Sequence, residues 1–143
     1  MGTTLIAILL GPWASVLIMT TVLTVQCLIF QDGGLTALGA NIFNMGVVGG
    51  FFGYYINTII RLFVQGRKGL FIGSFTAAWC SLVLSATCCA VELSISGTAP
   101  LKIVLPAMAG IHAMIGIGEG FITIATLSML TRVRPDLLEL QKI

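Results

Sequence analysis

Ile103-Val104-Leu105-Pro106-Ala107-Met108-Ala109-Gly110-Ile111-His112-Ala113-Met114-Ile115-Gly116-Ile117-Gly118-Glu119-Gly120-Phe121-Ile122-Thr123-Ile124-Ala125-Thr126-Leu127-Ser128-Met129-Leu130 contains no Asp, Lys or Arg and a single Glu. A helix crosses ~30 Å of hydrocarbon with about 20 apolar residues, and this stretch exceeds that length. Three others pass the same test: Leu5 to Phe30, Asn41 to Phe63 and Leu70 to Leu93. The expected fold class is therefore all-α: a polytopic membrane helical bundle of about four transmembrane helices, with residues 1–143 as a single membrane domain. Composition agrees. Of 143 residues, 57% are hydrophobic and 8% charged, with a mean hydropathy of +1.08; an average soluble domain has about 25% charged residues. So few charges cannot cover a water-facing surface, so the partner of this surface is the lipid bilayer.

The first and fourth spans are longer than a crossing requires, and Gly11-Pro12 and Pro106 are the expected break points. Between the first two spans lies Gln31-Asp32-Gly33-Gly34-Leu35-Thr36-Ala37-Leu38-Gly39-Ala40. Its Asp-Gly-Gly start signals a turn, and Asn41 is placed to cap the second helix. Arg61, Arg67 and Lys68 gather near the link between the second and third spans, and Arg132, Arg134 and Lys142 follow the fourth. Positive charge marks the cytoplasmic side, so both termini are expected to be cytoplasmic. No cleavable signal peptide is expected, because the N-terminus lacks a charged region ahead of its apolar run. Gly46 with Gly50, Gly49 with Gly53, and Gly116 with Gly120 place small residues one helical turn apart, which favours close helix packing.

A net charge of +2, scattered along the chain, gives no footprint for nucleic acid. Cys27, Cys80, Cys88 and Cys89 all sit in apolar runs, as small packing residues do, without disulfide or zinc spacing. Met19, Met45, Met108, Met114 and Met129 are expected to pack rather than bind soft metal. With one histidine, no nucleophile elbow and no phosphate-cradling Gly-Lys-Ser or Gly-Lys-Thr, the chain is not expected to be an enzyme. His112 and Glu119 are seven positions apart and share a helix face, about 10 Å apart along the axis. An ionisable residue inside a span is costly. The pair either satisfies neighbouring helices or takes part in a transport path. Glu92, near the end of the third span, is expected to reach the membrane interface, and Asn41 and Asn44 to cap a helix or reach a site near the surface.

Three stretches resemble the cobalt/nickel CbiM/NikM family, the substrate-capturing membrane components of energy-coupling factor (ECF) transporters. The first is Leu5-Ile6-Ala7-Ile8-Leu9-Leu10-Gly11-Pro12-Trp13-Ala14, continuing through Gln26 to the run from Asp32 to Gly46. The second runs from Gly110 through His112 and Glu119 to Thr123, and the third is Arg132-Val133-Arg134-Pro135-Asp136-Leu137-Leu138. Together they cover about half the chain; the region from Tyr54 to Pro100 reads as generic membrane sequence. The resemblance implies transport of Co²⁺ or Ni²⁺ across a prokaryotic cell (inner) membrane. It also implies a transmembrane coupling (T) subunit, paired ATP-binding-cassette ATPases that consume the ATP, and a small accessory membrane subunit. Family members hold the metal with an N-terminal amine and histidine and a second histidine upstream of the position of Gly2. No residue here matches those ligands, so no metal ligand is assigned in this chain. Asn41, Asn44, His112 and Glu119 are left with a supporting or structural role. On this resemblance the chain is expected to be the C-terminal part of a longer subunit, with the ligands upstream of Met1.

Two other functions fit the residues alone. One is a small four-helix proton-coupled secondary transporter acting as a dimer, with Glu119 or Glu92 as the coupling carboxylate. The other is a membrane assembly module for other subunits.

Overall fold

Gly11 decides how the chain enters the bundle. In the computed structural model, which describes residues 2–136, its φ of 88° and ψ of 163° fall where a Cβ is strongly disfavoured. Pro12 follows with its φ preset for a first helical position and no N–H to leave unpaired. The expected first span is therefore two helices, α1 (Thr3–Leu10) and α2 (Pro12–Phe30). The remaining elements are α3 (Gly34–Asn41), a π-helical stretch (Ile42–Val48), α4 (Gly49–Phe63), α5 (Gly66–Ile95) and α6 (Leu101–Val133).

Among the described residues, four helices are long and apolar enough to cross a membrane: α2, the continuous helix from Gly34 to Phe63, α5 and α6. The eight residues of α1, about 12 Å long, are not. Instead α1 buries Thr3, Thr4, Ala7 and Ile8 inside the bundle, packing on α2, α4 and α5. Ile8 meets Leu70 and Leu127 in a small apolar core.

Three sequence expectations change. The turn after α2 is confined to Gln31–Gly33, and a helix begins at once at Gly34, so Asn41 lies inside a helix and caps nothing. Left-handed backbone at Gln31, Gly33 and Gly34 reverses the chain without a longer loop. The Asn41 amide instead folds over Gly33, where any Cβ would collide with it. Pro106 leaves α6 unbroken, because at the sixth residue of the helix it removes only the bond to the exposed first-turn carbonyl of Lys102. Met114 and Met129 face outward, 76% and 58% exposed, while Met19 is buried.

The glycine pairs are used, on different neighbours. Gly46 and Gly50 let α2 approach at Val16, Met19 and Ser15; Gly49 and Gly53 face Ser85 of α5 and Thr3 and Thr4 of α1. At Gly53 an added Cβ would stand 2.7 Å from Thr4 Oγ1. On α6, Gly116 and Gly120 lie under Trp79 and Phe75 of α5, and Trp79 Nε1–H donates to the Ala113 carbonyl at 2.9 Å. Beyond α6, Arg134 and Asp136 form an exposed ion pair at 2.7 Å, which holds the guanidinium above its ordinary range through its hydrogen bond and charge. Met1, Leu137, Leu138 and Lys142 lie outside the described residues.

Candidate functional site

Ser74, Ser81, Ser85 and Glu92 stand on α5 at offsets of 7, 11 and 18 residues. At 3.6 residues per turn they fall within an arc of about 40°, and the line from Ser74 to Glu92 is about 27 Å long, close to the hydrocarbon thickness. The stretch from Tyr54 to Pro100, which reads as generic membrane sequence, thus carries a polar face through most of the bundle.

Each group on that face has a partner from another helix. Asn57 of α4, buried, donates through Nδ2 to Ser74 Oγ at 3.1 Å. Thr4 Oγ1 of α1 shares a hydrogen bond with Ser81 Oγ at 2.6 Å. Ser85 Oγ–H lies 2.7 Å from the Asn44 carbonyl and 2.8 Å from that of Ser81. Asn44 sits in the π-helical stretch, and its carbonyl also accepts the Gly49 N–H five residues on, the bond that defines the wider helix. Its side chain donates through Nδ2 to Glu92 Oε2 at 2.7 Å.

That bond corrects two expectations. Glu92 is half-buried and turned to a buried amide rather than simply reaching the interface, and Asn44 works inside the bundle rather than as a cap. The Asn44 amide supplies the half-buried Glu92 side chain with a donor in place of water lost on packing. Asn44 Oδ1 has no hydrogen-bond partner among the described residues.

Glu119 of α6 is half-buried, and its Oε1 accepts the Gly2 N–H at 3.1 Å. It lines a cavity of about 10 Å³ together with Thr3, Met45, Gly49, Ser81, Leu82 and Ser85. On its other side it borders a larger groove of about 350 Å³ between Gly2, Leu5, Ile115 and Ile122. His112, one face but two turns away, is engaged differently: its Nδ1 lies 2.7 Å from the Met108 carbonyl. A carbonyl only accepts, so Nδ1 carries the proton. The structure therefore joins Asn44 to Glu92 and Glu119 to the serine face, and leaves Asn41 at the turn and His112 on its own helix.

Among the described residues no three His, Cys, Asp or Glu side chains cluster as metal ligands would. Cys27, Cys80, Cys88 and Cys89 are free thiols. What the site offers is a chain of hydroxyls, amides and two carboxylates, groups that bind, orient or hydrate. Thr3, Thr4, Asn57, Ser74, Ser81 and Ser85 carry no motif in the sequence; for the three serines of α5 their helical spacing was the available signal.

The family profile described as the cobalt uptake substrate-specific transmembrane region, CbiM, matches residues 1–137. The chain belongs to the CbiM family. This CbiM-family chain is 43% identical over 140 residues to a protein of Archaeoglobus fulgidus assigned as a fused nickel transport protein, NikMN, covering 96% of this chain and 46% of the relative. It is 34% identical to the cobalt transport protein CbiM of Sorangium cellulosum, covering 96% and 63%. Its fold superposes on a crystal structure of a transition metal transporter with a TM-score of 0.83 at 32% identity, over 93% of this chain and 63% of that one. The CbiM-family chain thus spans between about half and two thirds of these relatives. Their names describe metal transport proteins and no enzyme.

Proposed function

We propose that this chain is part of the membrane component that takes up Co²⁺ or Ni²⁺ for an ATP-driven energy-coupling factor transporter. The supporting observation is the CbiM-family match across residues 1–137, on a fold shared with a transition metal transporter. The ion is the cargo and no chemistry is done on it. Imidazole and amine nitrogens suit both ions, so the donor set alone does not choose between them. In this proposal the transmembrane coupling subunit, the paired ATPases and a small accessory membrane subunit are separate partners. The chain lies in a prokaryotic cell membrane, and the basic residues Arg61, Arg67, Lys68, Arg132 and Arg134 put the α4–α5 link and the C-terminal end of α6 on the cytoplasmic side. Asn44 and Glu119 brace the bundle interior from which a metal-holding segment would be supported; Asn41 and His112 act structurally on their own helices.

The test is uptake of radioactive nickel or cobalt by cells expressing the chain with its genomic neighbours. Accumulation is expected to vanish when the ATPases carry inactivating substitutions. Accumulation that survives them and is instead abolished by Glu119→Gln would overturn the proposal in favour of a proton-coupled carrier.

A further inference from the structure

Trp13 of α2 packs edge-on against Phe51 of α4 with ring centroids 4.9 Å apart, and Phe51 leads on to Tyr55 at 6.4 Å and Tyr55 to Tyr54 at 5.5 Å. The cluster lies on the outside of the bundle: Trp13 is 73% and Tyr55 53% exposed. Among the described residues neither tyrosine hydroxyl has a hydrogen-bond partner. Two helices place these rings at the same depth. α2 has 19 residues, a rise of about 28 Å against ~30 Å of hydrocarbon, and Trp13 is its second residue. On the continuous helix from Gly34, Tyr55 comes after a rise of about 32 Å. Both lengths set the ring cluster at the edge of the hydrocarbon, where the amphipathic rings of Trp and Tyr concentrate.

Beyond the rings α4 continues into the headgroup layer, which is about 5–8 Å deep. Arg61 follows Tyr54 by seven positions, two turns along the same face and about 10 Å further out. Side chains on a helix lean toward its N-terminus, which carries the long Arg61 side chain back into that layer. Arg67 and Lys68 lie just past the same helix end, and none of the three has an ion-pair partner among the described residues. The sequence offers none nearby, since no Asp or Glu occurs between Asp32 and Glu92. Positive charge without a counter-charge, set above a layer of rings, matches a lipid with an anionic head and glycerol esters just beneath it. We propose that Arg61 and the cluster of Trp13, Phe51, Tyr54 and Tyr55 form a binding site for an anionic phospholipid of the leaflet at the α4–α5 end of the bundle. The rings lie along its glycerol and upper acyl region, and the guanidinium holds its phosphate.

Fluorescence quenching by brominated lipid tests this, because the chain has two tryptophans, Trp13 in the cluster and Trp79 of α5, bonded to α6. The full chain is placed in phosphatidylcholine vesicles that carry a small fraction of brominated phosphatidylglycerol or the same fraction of brominated phosphatidylcholine. With Trp79→Phe, phosphatidylglycerol is expected to be enriched about fivefold around Trp13, the gain from one basic residue. Arg61→Gln is expected to remove most of that enrichment. With Trp13→Phe, which leaves only Trp79, the two lipids are expected to quench alike. Equal quenching of Trp13 by the two lipids overturns the proposal, as a protein neighbour on this face would give. A preference unchanged by Arg61→Gln, or shared by Trp79, overturns it too, by describing a general lipid shell. The unaltered chain gives a second measure that needs no tryptophan variant. Its melting temperature is expected to rise when phosphatidylglycerol joins the phosphatidylcholine, and to rise less in Arg61→Gln; no rise, or an equal rise in both, overturns the proposal.

Discussion

An amide donating to a carboxylate in a low-dielectric interior is costly to lose from one side only. Asn44→Leu leaves Glu92 without the 2.7 Å donor, and leaving one side of such a hydrogen bond unsatisfied costs about 1–3 kcal/mol. A stability loss of that size is expected by thermal or denaturant unfolding in detergent. Combining it with Glu92→Leu should cost less than the sum of the two single changes, since the second removes the group the first has orphaned. Strict additivity would show that the two side chains do not act together. His112 offers a second test. Its Nδ1–H is spent on Met108 and no three-ligand cluster surrounds it among the described residues, so calorimetry on the purified 143-residue chain should find no submicromolar Ni²⁺ site. At this scale the ionisable groups were legible, because membrane spans tolerate so few. The serines were not: a hydroxyl can satisfy itself on its own helix, so its presence in a span raises no alarm until its spacing is counted.

Helix contacts here depend on missing side chains. A Cβ at Gly120 would lie 2.5 Å from Phe75 Cδ2, whereas one at Gly118 meets nothing within 4 Å. Gly120→Ala should therefore destabilise the α5–α6 pairing by about 1–3 kcal/mol, while Gly118→Ala should stay within about 0.5 kcal/mol of the parent. Equal effects in unfolding experiments would show that close approach does not set this interface. Gly11→Ala should cost about 1–3 kcal/mol through backbone strain alone. The four long apolar helices could be seen in the sequence because the bilayer demands a minimum length from each. The interruption at Gly11-Pro12 was also visible, though not its result, which is a short buried helix in place of a bent long one. The π-helical stretch left no local mark: one extra residue in a turn changes no composition. The helix from Gly34 was hidden for the opposite reason, since two adjacent glycines read as a loop even where their left-handed backbone launches a helix.

For the molecule as a whole, sidedness rests on the basic α4–α5 link. In a cysteine-free background, Lys68→Cys should react with a membrane-impermeant thiol reagent in inside-out vesicles and not in intact cells. The reverse pattern would invert the topology. Many large apolar side chains of the described residues face outward, and α6 is the least enclosed of the four long helices, so lipid or neighbouring subunits must cover them. The small helix α1 adds a constraint of timing. Eight residues are too few to cross a bilayer alone, and the Thr4 hydroxyl is matched by Ser81 of α5. The long helices can each enter the membrane independently and then associate; α1 can take its place only once α4 and α5 have met. It leaves the ribosome before both of them, so it has to wait, and any factor that shields or delays that segment would govern how much of the protein assembles.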